Sequence, residues 1–129
     1  MPVVPAGQFC WVDLAATDAS RAIDYYRGLF GWSACLHRAN GGCLARLAHR
    51  GQEVGSVYQL GERLREAGVA SHWTSYVRVE DVDDASRRAS ALGGSVVVEP
   101  FTVEGMARIA LVVDPVGAAF GLWENPQDR

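Results

Sequence analysis

The chain has 129 residues, 49% hydrophobic and 21% charged, with a formal net charge of −3 at pH 7. That length suits one domain, which can bury roughly two thirds of its unfolded-chain surface without disulfide or metal staples. All 12 basic residues are arginines and they form no stripe, so nucleic acid is excluded as an expected partner.

Residues 1–8 hold two prolines and a glycine, without the basic and apolar regions of a signal peptide. Phe9 to Ala15 is an apolar strand interrupted by Asp13. Thr17, Asp18 and Ser20 offer capping oxygens for a helix that Gly28 and Gly31 close. Three strands are expected next, at 32–37, 43–49 and 54–60, separated by Asn40-Gly41-Gly42 and Arg50-Gly51-Gln52. Residues 61–71 read as a polar linker with one helical turn. A strand at 72–79, a helix from Asp81 to Leu92 and a strand at 95–99 ended by Pro100 follow. A strand at 106–113, a turn at Asp114-Pro115-Val116-Gly117 and a strand at 118–124 complete the chain.

The second half repeats the first. At an offset of 63 residues Leu14 meets Val77, Asp18 meets Asp81, Ala22 meets Ala85, Leu29 meets Leu92 and Gly31 meets Gly94. Such repetition marks two half-modules, one at about 8–60 and one at about 72–125, within a single domain of residues 1–129. Cys10, Cys35 and Cys43 are odd in number and form no CxxC pair, so they read as reduced thiols of a cytoplasmic protein. No apolar run reaches the ~18 residues of a membrane span, so no membrane partner is expected.

Two βαβββ modules, DYYRGLFGW after the first strand, DVDDA at the second helix and DPVGAAFGLWE at the end resemble the vicinal oxygen chelate superfamily. That group includes glyoxalase I, bleomycin-resistance proteins and extradiol dioxygenases. The resemblance covers about residues 8 to 125 and is nearest to actinobacterial single-domain members. It implies an α+β fold in which the modules form a cup-shaped mixed sheet with helices outside and a small-molecule site in the cup. It also implies a homodimer, for which Phe101, Val103 and Met106 are the expected interface.

Metal-dependent members of the family carry His or Gln on a module's first strand and Glu on its fourth. Carried over by position, those sites fall on Trp11 and Thr74, on Gly121, and on Val57 or Tyr58. None is His, Glu or Gln, so neither a metal nor another cofactor is expected. His37, His49 and His72 lack metal-ligand spacing; an improvised site would have to use His72, Asp13 or Glu124.

Strand alternation then assigns faces. Trp11, Asp13, Arg46, Thr74, Tyr76, Arg108, Gly121 and Trp123 are expected to line the cup, with either Tyr58 or Gln59. Small residues at Ala119 and Gly121 would leave an aromatic-walled slot. A carboxylate inside an apolar strand must be paired or change its acidity, and Arg46 or Arg108 is the expected partner of Asp13. The leading expectation is metal-independent binding of a planar or aromatic small molecule, including natural-product sequestration. The alternative is a lyase, isomerase or cyclase with Asp13 as general base and Tyr76 as acid, or a metal-dependent glyoxalase- or dioxygenase-like enzyme with unusual ligands.

Overall fold

The computed structural model describes residues 4–126. Its elements follow the expected order: β1 (Phe9–Ala16), α1 (Ala19–Phe30), β2 (Ser33–Ala39), β3 (Gly42–His49), β4 (Gln52–Gln59), α2 (Glu62–Glu66), β5 (His72–Arg78), α3 (Val82–Ala91), β6 (Ser95–Val103), β7 (Ala107–Val113) and β8 (Ala119–Glu124). The fold class is α+β, with two βαβββ modules. The chain divides into two units. The first is Val12–Thr74, and the second is Ser75 onward together with the segment ending at Trp11.

In the first unit β2, β3 and β4 form an antiparallel meander, and β4 pairs parallel with β1. Both hairpin turns carry two successive left-handed residues, Asn40-Gly41 and Arg50-Gly51, the backbone that suits the twist of a tight hairpin. Asp18 caps α1 by accepting the Arg21 N–H, and Gly31 ends it in the left-handed conformation. Leu14, Ala16, Ala45, Leu47 and Val57 form the core beneath Ala19, Ala22, Ile23 and Tyr26 of α1. The opposite face of this sheet therefore carries Asp13, Arg46 and Ser56, which are register partners.

The second unit repeats the plan. Strand β5 pairs parallel with β8, which pairs with β7, which pairs with β6. Val82, Ala110, Val112 and Leu122 form its core under Ala85 and Ala89 of α3. Two expectations change here. Strand β6 does not stop at Pro100 but continues to Val103, because the β6–β7 register slips between Val98 and Phe101 and frees the missing N–H from the ladder. Arg108 does not share the face of Arg46. It has the parity of Ala110 and Val112 and reaches toward α3, where its guanidinium grips Asp83 with two 2.9 Å hydrogen bonds.

The repeat extends to a device absent from the expectations. Gln59 accepts the Ala19 N–H at 2.8 Å and donates to the Thr17 carbonyl at 2.7 Å. In the second unit Glu124 accepts the N–H of Val82, the residue 63 positions beyond Ala19, also at 2.8 Å. Each module thus ends its last strand with a side chain that satisfies an orphan N–H of its own helix. Gln59→Ala removes three hydrogen bonds, two of them short, and should lower stability by about 2 kcal/mol in urea unfolding.

Candidate functional site

In the first unit the polar centre is Asp13. Alternation along β1 sends Leu14 and Ala16 into the core and turns Asp13 to the other face, where it is half-buried. Its expected arginine partner is replaced by a hydroxyl: Ser56 Oγ, buried, donates to Asp13 Oδ1 at 2.6 Å. Burial pushes the Asp13 carboxyl up from 3.8 to about 7, against smaller opposing effects from the Ser56 hydrogen bond and the charge of His72. His72 opens β5 and holds its Nδ1 2.9 Å from the Ala70 carbonyl. Arg46 pairs with Glu53, its Nε 2.7 Å from a carboxylate oxygen but out of line for a hydrogen bond.

Tyr58 lies two residues beyond Ser56, level with Ala15. Burial and the Asp13 charge raise its phenol above the usual value of 10. The open register of β4 is thereby settled: Tyr58 takes the face of Asp13, and Gln59 pins α1. Thr74 is half-buried in β5. A groove of about 480 Å³ runs beside α1, lined by Ile23, Leu36, Ala45 and Val57 and reaching Tyr58 and Gln59 at the end of β4.

In the second unit Trp11 and Trp123 stack at 5.2 Å, and Tyr76 meets Trp123 edge-on at 5.6 Å. Their exposures are 5%, 9% and 4%, so the expected slot is filled by its own walls. The space over Gly121 belongs to the Tyr76 ring, whose carbons lie 2.1 to 2.8 Å from where a Cβ would stand. Cys10 is buried, and its thiol is raised to about 11 by that burial, which suits packing and not nucleophilic attack.

The family's metal positions do not fit a metal. Trp11 presents an indole, and Gly121 has neither a side chain nor room for one. The β5–β8 ladder sets Tyr76 beside Gly121, and the β1–β4 ladder sets Asp13 beside Ser56. Asp13 and Tyr76 are repeat equivalents, so the first-module counterpart of Gly121 is Ser56, not Val57 or Tyr58. A different acidic group, Asp81, Asp83 and Glu124, gathers within 4.8 Å. It is explained by structure: Asp81 and Glu124 cap α3, and Asp83 holds Arg108.

The fold is mixed α+β, built of two βαβββ modules, and a carboxyl of raised pKa stands on the sheet face away from α1. The chain belongs to the Glyoxalase/Bleomycin resistance protein/Dioxygenase superfamily, whose family model matches residues 8–122. It is 30% identical over 130 residues to the anthracycline biosynthesis protein DnrV of Streptomyces peucetius, covering 92% of this chain and 47% of that protein. It is 33% identical over 116 residues to CFP32 of Mycobacterium bovis, which carries a glyoxylase name, covering 88% of this chain and 44% of that protein. The chain therefore spans about half the length of the curated relatives it matches. Its fold is that of methylmalonyl-CoA epimerase from Mycobacterium tuberculosis, with TM-score 0.64, 22% identity and coverage of 97% and 92% of the two chains. The Streptomyces coelicolor epimerase gives 0.62, 17%, and 95% and 96%. No helix among the described residues is long and apolar enough to cross a membrane.

Proposed function

We propose that this chain catalyses proton transfer on a small carbonyl compound, with Asp13 as a metal-independent general base. The observation that carries this reading is the half-buried Asp13 carboxyl, held by Ser56 at 2.6 Å and raised to about 7. A base works best when its pKa lies near the working pH, and burial is how a carboxylate reaches that range. The chemistry is removal of a proton from carbon beside a carbonyl, as in an isomerisation, epimerisation, cyclisation or elimination. A second reading, sequestration of a planar aromatic molecule, is favoured by the Trp11–Trp123 pair and by the anthracycline-biosynthesis name of a relative. The mutual packing of those rings leaves it the weaker of the two.

The test is deuterium uptake in D₂O, followed by NMR, on a methylmalonyl thioester, an aryl 1,3-diketone and a hydroxyanthrone, with chelator-treated protein. Uptake above the protein-free control is expected for at least one probe, falling about 100-fold or more in Asp13→Asn. Tight binding without exchange would favour sequestration. No exchange with any probe, or exchange that Asp13→Asn leaves intact, would sink the base.

A further inference from the structure

A general base at Asp13 needs a counterpart. The proton it removes leaves negative charge on the carbonyl oxygen, and that oxygen needs a donor in the same place. The sequence suggests Tyr76, but Tyr76 is 4% exposed in the second unit, its ring seated over Gly121 and edge-on to Trp123. A phenol enclosed in that way has no face to offer a substrate.

The first unit holds another phenol. Ser56 touches Asp13, and residues two apart on a strand share a face, so Tyr58 stands on the Asp13 face one step along β4. Its register partners are Ala15 on β1 and Leu44 on β3. Ala15 is small, so the sheet beside Tyr58 is low on the Asp13 side. Tyr58 is half-buried, and Asp13 is close enough for its charge to act on the phenol.

We infer that Tyr58 is the proton donor that works with Asp13. This rests on the proton-transfer reading above and adds the second catalytic residue to it. As the C–H bond breaks, Asp13 takes the proton and the electron pair moves into the new C=C bond. The carbonyl oxygen takes the Tyr58 proton, leaving an enol, a phenolate and a neutral carboxyl. Return of a proton to carbon from Asp13 and of the enol proton to Tyr58 restores both groups. No oxidant, metal or co-reactant enters.

Burial and the Asp13 charge both favour the neutral phenol, so Tyr58 keeps its proton across the range where Asp13 ionises. The charged and titratable groups around this pair are Arg46 on β3 with its partner Glu53 on β4, and His72 on β5, with Ser56 as the hydrogen-bonding neighbour.

The test uses Tyr58→Phe in the full chain with Asp13 intact. Deuterium uptake by a responsive probe should fall at least about 100-fold with little change in KM, and the alkaline limb of its pH profile should disappear. If Tyr58→Phe keeps the wild-type rate while Asp13→Asn abolishes exchange, the donor role is overturned and the base reading stands. If neither variant matters, both fall. A readout independent of turnover is the absorbance of ionised tyrosine. The chain has four tyrosines, and the titration step missing in Tyr58→Phe belongs to Tyr58. In Asp13→Asn that step should move to lower pH. A step that stays in place overturns the pairing whatever the activity.

Discussion

Asp13→Asn should make the protein more stable at pH 8 and leave it unchanged at about pH 3. The sign follows from the direction of the shift. The folded carboxyl titrates at about 7, the unfolded one near 3.8. Below 3.8 both states hold the proton and the site costs nothing. Between 3.8 and 7 the unfolded state loses its proton while the folded state keeps it, so stability falls as pH rises. Above 7 the penalty is complete. Raising the carboxyl from 3.8 to about 7 sets a ceiling of roughly 4 kcal/mol. Asparagine keeps an acceptor for Ser56 and puts its N–H₂ where the neutral carboxyl has its O–H, so the two match at acid pH. Solvent reaching the half-buried carboxylate lowers the ceiling, and about 2 kcal/mol is the expected gain at pH 8. For a domain of this size that is a rise in Tm of about 7 °C at pH 8. Thermal unfolding of both proteins from about pH 3 to 9 should show curves that coincide at the acid end and diverge through the titration. Parallel curves would mean that Asp13 ionises as freely in the folded protein as in water. A group that destabilises the fold at working pH is what a base adapted for proton transfer should look like.

The modules were legible because the physics that marks them is local. Asp18 and Gly31 bracket α1, Asn40-Gly41 makes a hairpin, and the repeat of 63 places a second copy of each signal. Asp13 was legible as well, since a carboxylate set among alternating apolar residues breaks a strand's own pattern. Its partner was not. Ser56 lies 43 residues away, and which residue of β4 faces Asp13 depends on the β3–β4 register, which slips at Leu47 and Ala48. A bulge of that kind leaves no mark in hydrophobic alternation, and the shift of one residue is the difference between Ser56 and Val57. Arg108 was misplaced for a related reason. Ile109, Ala110 and Val112 are all buried, so β7 is apolar on both faces and alternation gives no parity. Only the pairing of Arg108 with Asp83 of α3 reveals the side it takes. The aromatic slot failed on a question of volume. Strand alternation places Trp11, Tyr76 and Trp123 on one face, but whether the gap between them holds a ligand or their own rings is decided by packing.

Gly121→Ala should be among the most damaging single-methyl changes in the chain, because the new Cβ would stand 2.1 to 2.8 Å from Tyr76 ring carbons. The ring has little freedom to yield. It is held edge-on by Trp123, which stacks on Trp11 and donates its indole N–H to Asn125 at 2.8 Å. Overpacking of this kind costs about 1–3 kcal/mol, and a rigid aromatic neighbour puts it at the upper end, about 3 kcal/mol in urea unfolding. Tyr76→Leu alone should also destabilise, by loss of ring contacts. Combined, the two changes should cost less than their sum by about 1–2 kcal/mol, since leucine withdraws the atoms that the alanine methyl meets. Strict additivity would show that the ring does not occupy the space over Gly121. The same geometry bears on metal chemistry. Gly121→Glu would place on this strand the carboxylate that the family resemblance assigns to metal-dependent members, but its side chain would start from the same blocked Cβ. That variant should unfold more readily without gaining metal affinity. At this position the second module holds a packed ring, and the pair proposed to move protons, Asp13 and Tyr58, belongs to the first.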